Sequence, residues 1–355
     1  MASHDTPMLT GYQSDNAAGV SPEILAAMVD AAAGQSAPYG NDPLSTETAA
    51  RFAEVFECPV DIYPVGTGSA ANGLALAALT PPWGSILTHP DGHITNDEAG
   101  APEFFTDGAK IVLVDGPHSK LDPTLLRAAV RKRRGEVHSV QPSVISLTQV
   151  TETGSVYTLD ELRELSSIAH DAGLRVHMDG ARFANALVSL GVTPAEMTWK
   201  LGVDILSFGA TKNGAMTTDA IVSFDPALAT QLAFRHKRGG QLTSKMRFNT
   251  AQLSAYLADG LWLRNALQAN TMGTRLRAGL AEVADVHILG DPAANMTFCR
   301  FPTSLSDALH ARGFAFYDAM WEPGTVRLVT SFLHRERDID AFVAAARECA
   351  DNETR

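Results

Sequence analysis

The sequence predicts an α/β protein: a large domain with a mostly parallel sheet between helices, followed by a smaller α+β domain. Three observations carry this. Between about residues 60 and 225, short β-rich apolar runs alternate with helical stretches, the pattern of a parallel sheet with its crossovers on both faces. After about residue 285 that alternation gives way to strand-like runs around one helix. Finally, 355 residues, 45% of them hydrophobic, exceed one small core and suit a large domain joined to a smaller one. The division expected is an N-terminal segment (1–25), a large domain (26–250), connecting helices (251–285) and a small C-terminal domain (286–355).

The elements follow in order. Ser21-Pro22-Glu23 is a helix start with Pro22 at the first helical position, and the stretch before it reads as irregular. Residues 60–65 form a strand leading into a glycine turn, and 69–79 an Ala/Leu-rich helix. Residues 110–114 and 143–147 read as buried strands, with a helix over 123–133 between them. Thr158-Leu159-Asp160-Glu161 is a capping box, and the helix it opens aligns Leu162, Leu165, Ile168, Ala169 and Ala172 before Gly173 ends it. Strands follow at 174–178 and 203–208. The C-terminal part holds strands at 286–289, 296–301 and 326–330, a helix at 304–311 and a last helix at 336–349.

A net charge of −12 argues against a nucleic-acid partner. Arg131-Lys132-Arg133-Arg134 reads as a solvated helix C-terminus, favoured by the macrodipole. A second basic cluster, Arg235 to Arg238 followed by Lys245 and Arg247, reads either as a solvated loop or as part of a ligand site. Cys58, Cys299 and Cys349 stand far apart, giving neither a disulfide framework nor a zinc knuckle, and suit a reducing compartment. Met1-Ala2-Ser3-His4-Asp5 has no signal-peptide character, and no apolar run approaches the ~18 residues of a membrane span. A soluble, cytoplasmic protein without a membrane partner is expected.

Three segments fall where an open α/β sheet binds ligands, at the carboxyl ends of strands. Gly66-Thr67-Gly68-Ser69-Ala70-Ala71-Asn72 joins a strand to a helix, and its small residues let backbone N–H groups approach a phosphate. A dinucleotide fingerprint or a plain tight turn reads the same way. His177-Met178-Asp179-Gly180-Ala181-Arg182 ends a strand, where an acid needs a cationic partner to stay ionised. That partner is either a pyridinium nitrogen or Arg182 itself. Lys212 follows a buried strand between Gly209 and Gly214, a setting that favours a Schiff base. Each segment is ambiguous singly; in this order they form a phosphate cup, a pyridine acid and a carbonyl-trapping lysine. His89 and His93 flank Pro90 and Gly92, which oppose the helix a metal pair needs, so no metal is expected.

With these segments the sequence resembles the fold-type I pyridoxal-phosphate (PLP) enzymes, specifically the L-threonine aldolases of the β-eliminating-lyase group, including the phenylserine aldolase branch. The resemblance runs from about residue 11 to 345. It also rests on Ser14-Asp15-Asn16, Tyr39-Gly40-Asn41-Asp42-Pro43 and the stretch from Gly92-His93 to Glu98-Ala99-Gly100. It implies a seven-stranded-type sheet, pyridoxal 5'-phosphate as cofactor, and reversible aldol cleavage of L-β-hydroxy-α-amino acids to glycine and an aldehyde. Lys212 would form the Schiff base, Asp179 would pair with the ring nitrogen, Gly68 and Ser69 would hold the phosphate, and His93 would stack on the ring beside the substrate hydroxyl. Arg182 would lie near the phenolic oxygen and the substrate carboxylate, with Ser14 and Arg327 completing the carboxylate site. Family members are homotetramers, so Tyr39, and Arg238 with Lys245 toward the phosphate, would come from a neighbouring subunit.

The chain departs from the family pattern at Thr151-Glu152-Thr153-Gly154, where Glu152 stands in place of a second active-site histidine. That leaves His93 and Glu152 as the candidate bases for the hydroxyl. β-Elimination or transamination on the same scaffold is the alternative chemistry. A non-catalytic PLP-binding regulator and a nicotinamide oxidoreductase built on Gly66 and Gly68 are the readings from other classes.

Overall fold

The computed structural model describes residues 8–353; Met1 to Asp5, read above for a targeting signal, lie outside them. Seven strands make the large sheet: β1 (Asp61–Val65), β2 (Gly84–Thr88), β3 (Lys110–Leu113), β4 (Gln141–Thr148), β5 (Arg175–Gly180), β6 (Ile205–Phe208) and β7 (Asp219–Ser223). Their order is β1-β7-β6-β5-β4-β2-β3. β7 runs antiparallel to both neighbours, while β6, β5, β4, β2 and β3 pair in parallel. The mostly parallel seven-stranded sheet is therefore present. The carboxyl ends of β4, β5 and β6 lie side by side at its centre.

Two strands went unread in the sequence. β2 is fully buried yet only five residues long, wedged behind Pro81-Pro82-Trp83. β7 is also five residues long and fully buried. Helix ends differ too. The helix expected over 123–133 spans Pro123–Ala129, capped by the Asp122 carboxylate, and Arg131 to Arg134 lie exposed in the turn beyond it. The capping box forms as read: Glu161 N–H donates to Thr158 Oγ1 at 3.2 Å, and Thr158 N–H to Glu161 Oε2 at 2.7 Å, a motif whose N-cap contributes about 1 kcal/mol.

The main core joins the faces of the large sheet to its helices. At its centre Phe52, Phe56, Phe183, Phe208, Tyr256 and Trp262 pack ring against ring. A second core lies under the antiparallel sheet β8 (His287–Leu289), β9 (Met296–Arg300) and β10 (Thr325–Val329), with the last helix, Glu336–Glu353, against it. The N-terminal stretch read as irregular is pinned to this second core. Tyr12 is fully buried there, its N–H donates to Ala315 O and its hydroxyl to Asp338 O. Residues 14–17 are thereby carried back across the ends of β5 and β6. Among the described residues no helix is long and apolar enough to cross a membrane.

Candidate active site

β1 turns through Gly66 and Thr67 into the helix Gly68–Leu79, whose N-cap Thr67 accepts from Ala70 N–H at 3.1 Å. First-turn N–H groups have no intrahelical partner, so this end presents amide donors to an anion. The helix is buried from Ala70 to Leu79 and made mostly of small residues. A Cβ at Gly73 would sit 2.6 Å from the Phe105 ring, so only glycine admits that packing.

Asp179 lies at the end of β5, 3% exposed. Its Oδ2 accepts from Asn72 Nδ2 at 2.9 Å and its Oδ1 from Ala181 N–H at 3.0 Å. Behind it, His177 is held between Ser146 Oγ and Ser207 Oγ, each at 2.9 Å, tying β4, β5 and β6 together. Burial pushes the His177 pKa down to about 4, so it bridges the two hydroxyls as a neutral ring.

β6 leaves the sheet through Gly209, where any Cβ would collide with the Ala181 backbone. The following turn carries Lys212. Asp219 Oδ1, opening β7, accepts from the N–H groups of Ala210 and Thr211 at 2.7 and 3.0 Å. Asn213 Nδ2 donates to Tyr256 Oη at 2.7 Å and Trp262 O at 2.8 Å. The turn is fixed on both flanks, while the Lys212 ammonium makes no hydrogen bond or ion pair with the described residues.

Gly68, Ser69, Asn72, His93, Asp179 and Lys212 line one cavity of about 310 Å³. His93 and Lys212 also border a wider one of about 1050 Å³, with Ser14, Glu152, Arg182 and Arg327. The structure thus brings together every site residue read from the sequence except Tyr39, Arg238 and Lys245. Those three lie elsewhere on the chain: Tyr39 N–H donates to Ser244 O at 3.0 Å, its ring sits beneath Lys237, and Arg238 and Lys245 are exposed. The loop after Arg238 nevertheless reaches the cup, since Gly66 N–H donates to Gln241 Oε1 at 2.9 Å.

The charges in the wider cavity are unequally paired. Arg182 donates through Nε and Nη2 to both oxygens of Asp15, at 2.7 and 3.0 Å, and Asn295 Nδ2 adds a third donor to Asp15. Burial alone would raise the Asp15 pKa, but Arg182 and Lys212 outweigh it and hold the carboxyl below its ordinary range. Arg327, in β10, lies over the rings of Tyr317 and Trp321. Its Nη2 reaches Gln13 O at 3.3 Å, and its buried Nε has no partner among the described residues. Burial and the neighbouring Arg182 lower its pKa. Glu152 sits in the turn after β4. Burial raises its pKa, partly offset by Arg182 and Lys212. Gly154 shapes that turn at φ +86°, where a side chain would meet the Met296 carbonyl.

Sequence reasoning gave no role to Asp15, Asn72, Glu98, Asp219 or Asn295. The first three lay inside segments already singled out, so their positions were visible and their partners were not.

The family model for the beta-eliminating lyases matches residues 12–301. A low specificity L-threonine aldolase of Pseudomonas aeruginosa is 40% identical, over 95% of this chain and 96% of that protein. Another, from a Pseudomonas species, is also 40% identical, over 86% of this chain and 88% of its own length. The solved threonine aldolase of Leishmania major superposes with a TM-score of 0.90 at 28% identity, over 96% of this chain and all of that one. On this fold and these matches, the chain belongs to the beta-eliminating lyase family, among its threonine aldolases.

Proposed function

We propose that this protein cleaves L-β-hydroxy-α-amino acids of the threonine, allo-threonine or phenylserine type to glycine and an aldehyde, reversibly, with pyridoxal 5'-phosphate at Lys212. The observation that carries this reading is a cavity in which a helix N-terminus, the buried Asp179 and a lysine unpaired among the described residues converge beside a guanidinium whose Nε has no partner among them.

The residues present fit the cofactor. The first-turn amides at Gly68 and Ser69 suit a phosphate, Asp179 suits a protonated ring nitrogen, and His93 brings a flat ring to the same cavity. When bound, the cofactor supplies an electron sink for the bond that breaks. The protein's own groups decide which bond that is. Arg327, with Ser14 beside it, holds the substrate carboxylate and so sets the rotation about Cα. Arg182, fixed by Asp15 through Nε and Nη2, would have Nη1 left to help hold the cofactor or the same carboxylate. His93 and Glu152 flank the β-hydroxyl, and one of them takes its proton as the aldehyde leaves. Cα then receives a proton, and glycine is released.

The finer features of this reading concern assembly and place. The exposure of Tyr39, Arg238 and Lys245 supports a homotetramer, a dimer of dimers, in which a neighbouring subunit's Arg238 and Lys245 reach the phosphate and its Tyr39 the substrate. The division read is a large domain over 26–250 and a small one over 286–355, joined by connecting helices over 251–285; Tyr256 and Trp262 of that stretch pack in the large core, and Met272, Leu276 and Leu280 in the small one. Three free cysteines fit the cytoplasm.

The test is product identity. Purified protein supplied with pyridoxal phosphate and a panel of β-hydroxy-α-amino acids should release glycine and the matching aldehyde in equal amounts. A keto acid with ammonia would mean β-elimination, and a keto acid with an aminated cofactor would mean transamination.

A further inference from the structure

Four side chains in the site form a hydrogen-bonded line that the roles above leave unused. His93 Nδ1 lies 2.8 Å from Glu98 Oε1. Asn72 Nδ2 donates to that same oxygen at 2.8 Å and to Asp179 Oδ2 at 2.9 Å. The Glu98 side chain is fully buried, and Asn72 and Asp179 are 2% and 3% exposed. Both contacts to acids use one amide nitrogen, so Asn72 is locked with Oδ1 turned away, buried and without a partner.

We propose that Glu98 is a positioning residue for the reaction: it holds the His93 proton on Nδ1, leaves Nε2 as the nitrogen that meets the substrate, and is braced against Asp179 through Asn72. This rests on the aldolase reading and adds to it how His93, one of its two candidate bases, is prepared. A carboxylate accepting from Nδ1–H fixes both tautomer and ring plane. Glu98 is also the largest influence raising the His93 pKa. The other charged groups facing the ring are Asp179 from β5 and Glu152 from the turn after β4, which act in the same direction, and Lys212, which opposes them. Asn72 gives the line its rigidity. It neutralises nothing, yet it holds the two acids at a fixed separation, so the ring-nitrogen acid and the base are set in one frame.

The experiment uses the cofactor-free protein labelled with ¹³C and ¹⁵N histidine, with the His93 signal assigned from a His93→Gln variant. In the wild type at high pH, the nitrogen shifts should show Nδ1 protonated and Nε2 bare. The opposite tautomer would overturn the proposal without any substitution at Glu98. Glu98→Gln keeps an acceptor of similar size but removes the charge. The His93 pKa should then fall by about one pH unit or more, as expected for loss of an adjacent opposite charge. The acid limb of kcat/KM in the cofactor-loaded enzyme should move to lower pH with it. An unchanged His93 titration in a variant with wild-type circular dichroism would refute the role. Because the titration needs neither cofactor nor substrate, it is read even if the wild type fails to release glycine.

Discussion

Replacing Arg327 with alanine should cost substrate binding far more than it costs stability. The guanidinium is half-buried and, among the described residues, has one long hydrogen bond to Gln13 O and no partner for Nε. Burial and Arg182 both disfavour its charge. In the free protein this cation is therefore poorly compensated, and removing it relieves repulsion while losing contact with Tyr317 and Trp321. A net stability change within about 1 kcal/mol is expected, well short of the roughly 3–5 kcal/mol that follows breaking a buried ion pair. Substrate binding should suffer far more. Two charge-assisted hydrogen bonds to a carboxylate, at about 1.5–3 kcal/mol each, give a loss of about 3–6 kcal/mol. That is a drop of about 10²- to 10⁴-fold in kcat/KM, carried mainly by KM through the lost grip on the carboxylate, with a smaller fall in kcat as rotation about Cα loosens. Steady-state glycine release, thermal melts and the visible spectrum of bound cofactor read the three quantities. Loss of cofactor with KM unchanged would place Arg327 at the phosphate instead. A large loss of stability would mean that the cation is paired after all.

Asp15→Ala strands the buried Arg182 guanidinium and should cost about 3–5 kcal/mol in urea unfolding; a cost under about 1 kcal/mol would contradict the pairing. The pH dependence follows from the lowered Asp15 pKa. Its contribution is present above the ordinary carboxylate range and is lost as pH falls through the folded value. The gap between wild type and Asp15→Ala should therefore close in acid, and a gap that persists there would be inconsistent with this. For the two β-carbon diastereomers, kcat/KM for threonine and allo-threonine should differ by less than about 10³-fold, some 4 kcal/mol. Glu152 makes no hydrogen bond with the described residues that would fix its carboxyl, so it grips the hydroxyl less firmly than a fixed donor and acceptor would. Clean cleavage of one diastereomer with none of the other would reveal a second fixed contact.

What the sequence made legible was local. Lys212 and Asp179 stood out because each follows an apolar run long enough to be a buried strand, where a charge needs a purpose. Thr158 and Glu161 declared a helix start by spacing alone. β2 and β7 did not declare themselves, since five-residue buried runs beside Pro81-Pro82 or after a glycine turn have no period to read. The expected helix over 123–133 ran too long because its basic tail is as compatible with an exposed turn as with a last helical turn. The pairings that build the site were illegible for a different reason. Asp15 meets Arg182 across 167 positions and Asn295 across 280, and Asn72 meets Asp179 across 107. No spacing rule reaches so far, and only the fold brings these residues together. The resemblance singled out the Ser14-Asp15-Asn16 and His93-to-Glu98 segments; the partners give them a physical reason.

The most direct measurement is covalent mapping of the cofactor. Protein loaded with pyridoxal phosphate, reduced with borohydride and digested should carry one pyridoxyl label, on the peptide containing Lys212, and Lys212→Ala should abolish both label and turnover. A label on Lys237 or Lys245, or a Lys212→Ala variant that still releases glycine at the wild-type rate, would contradict the assignment of this cavity.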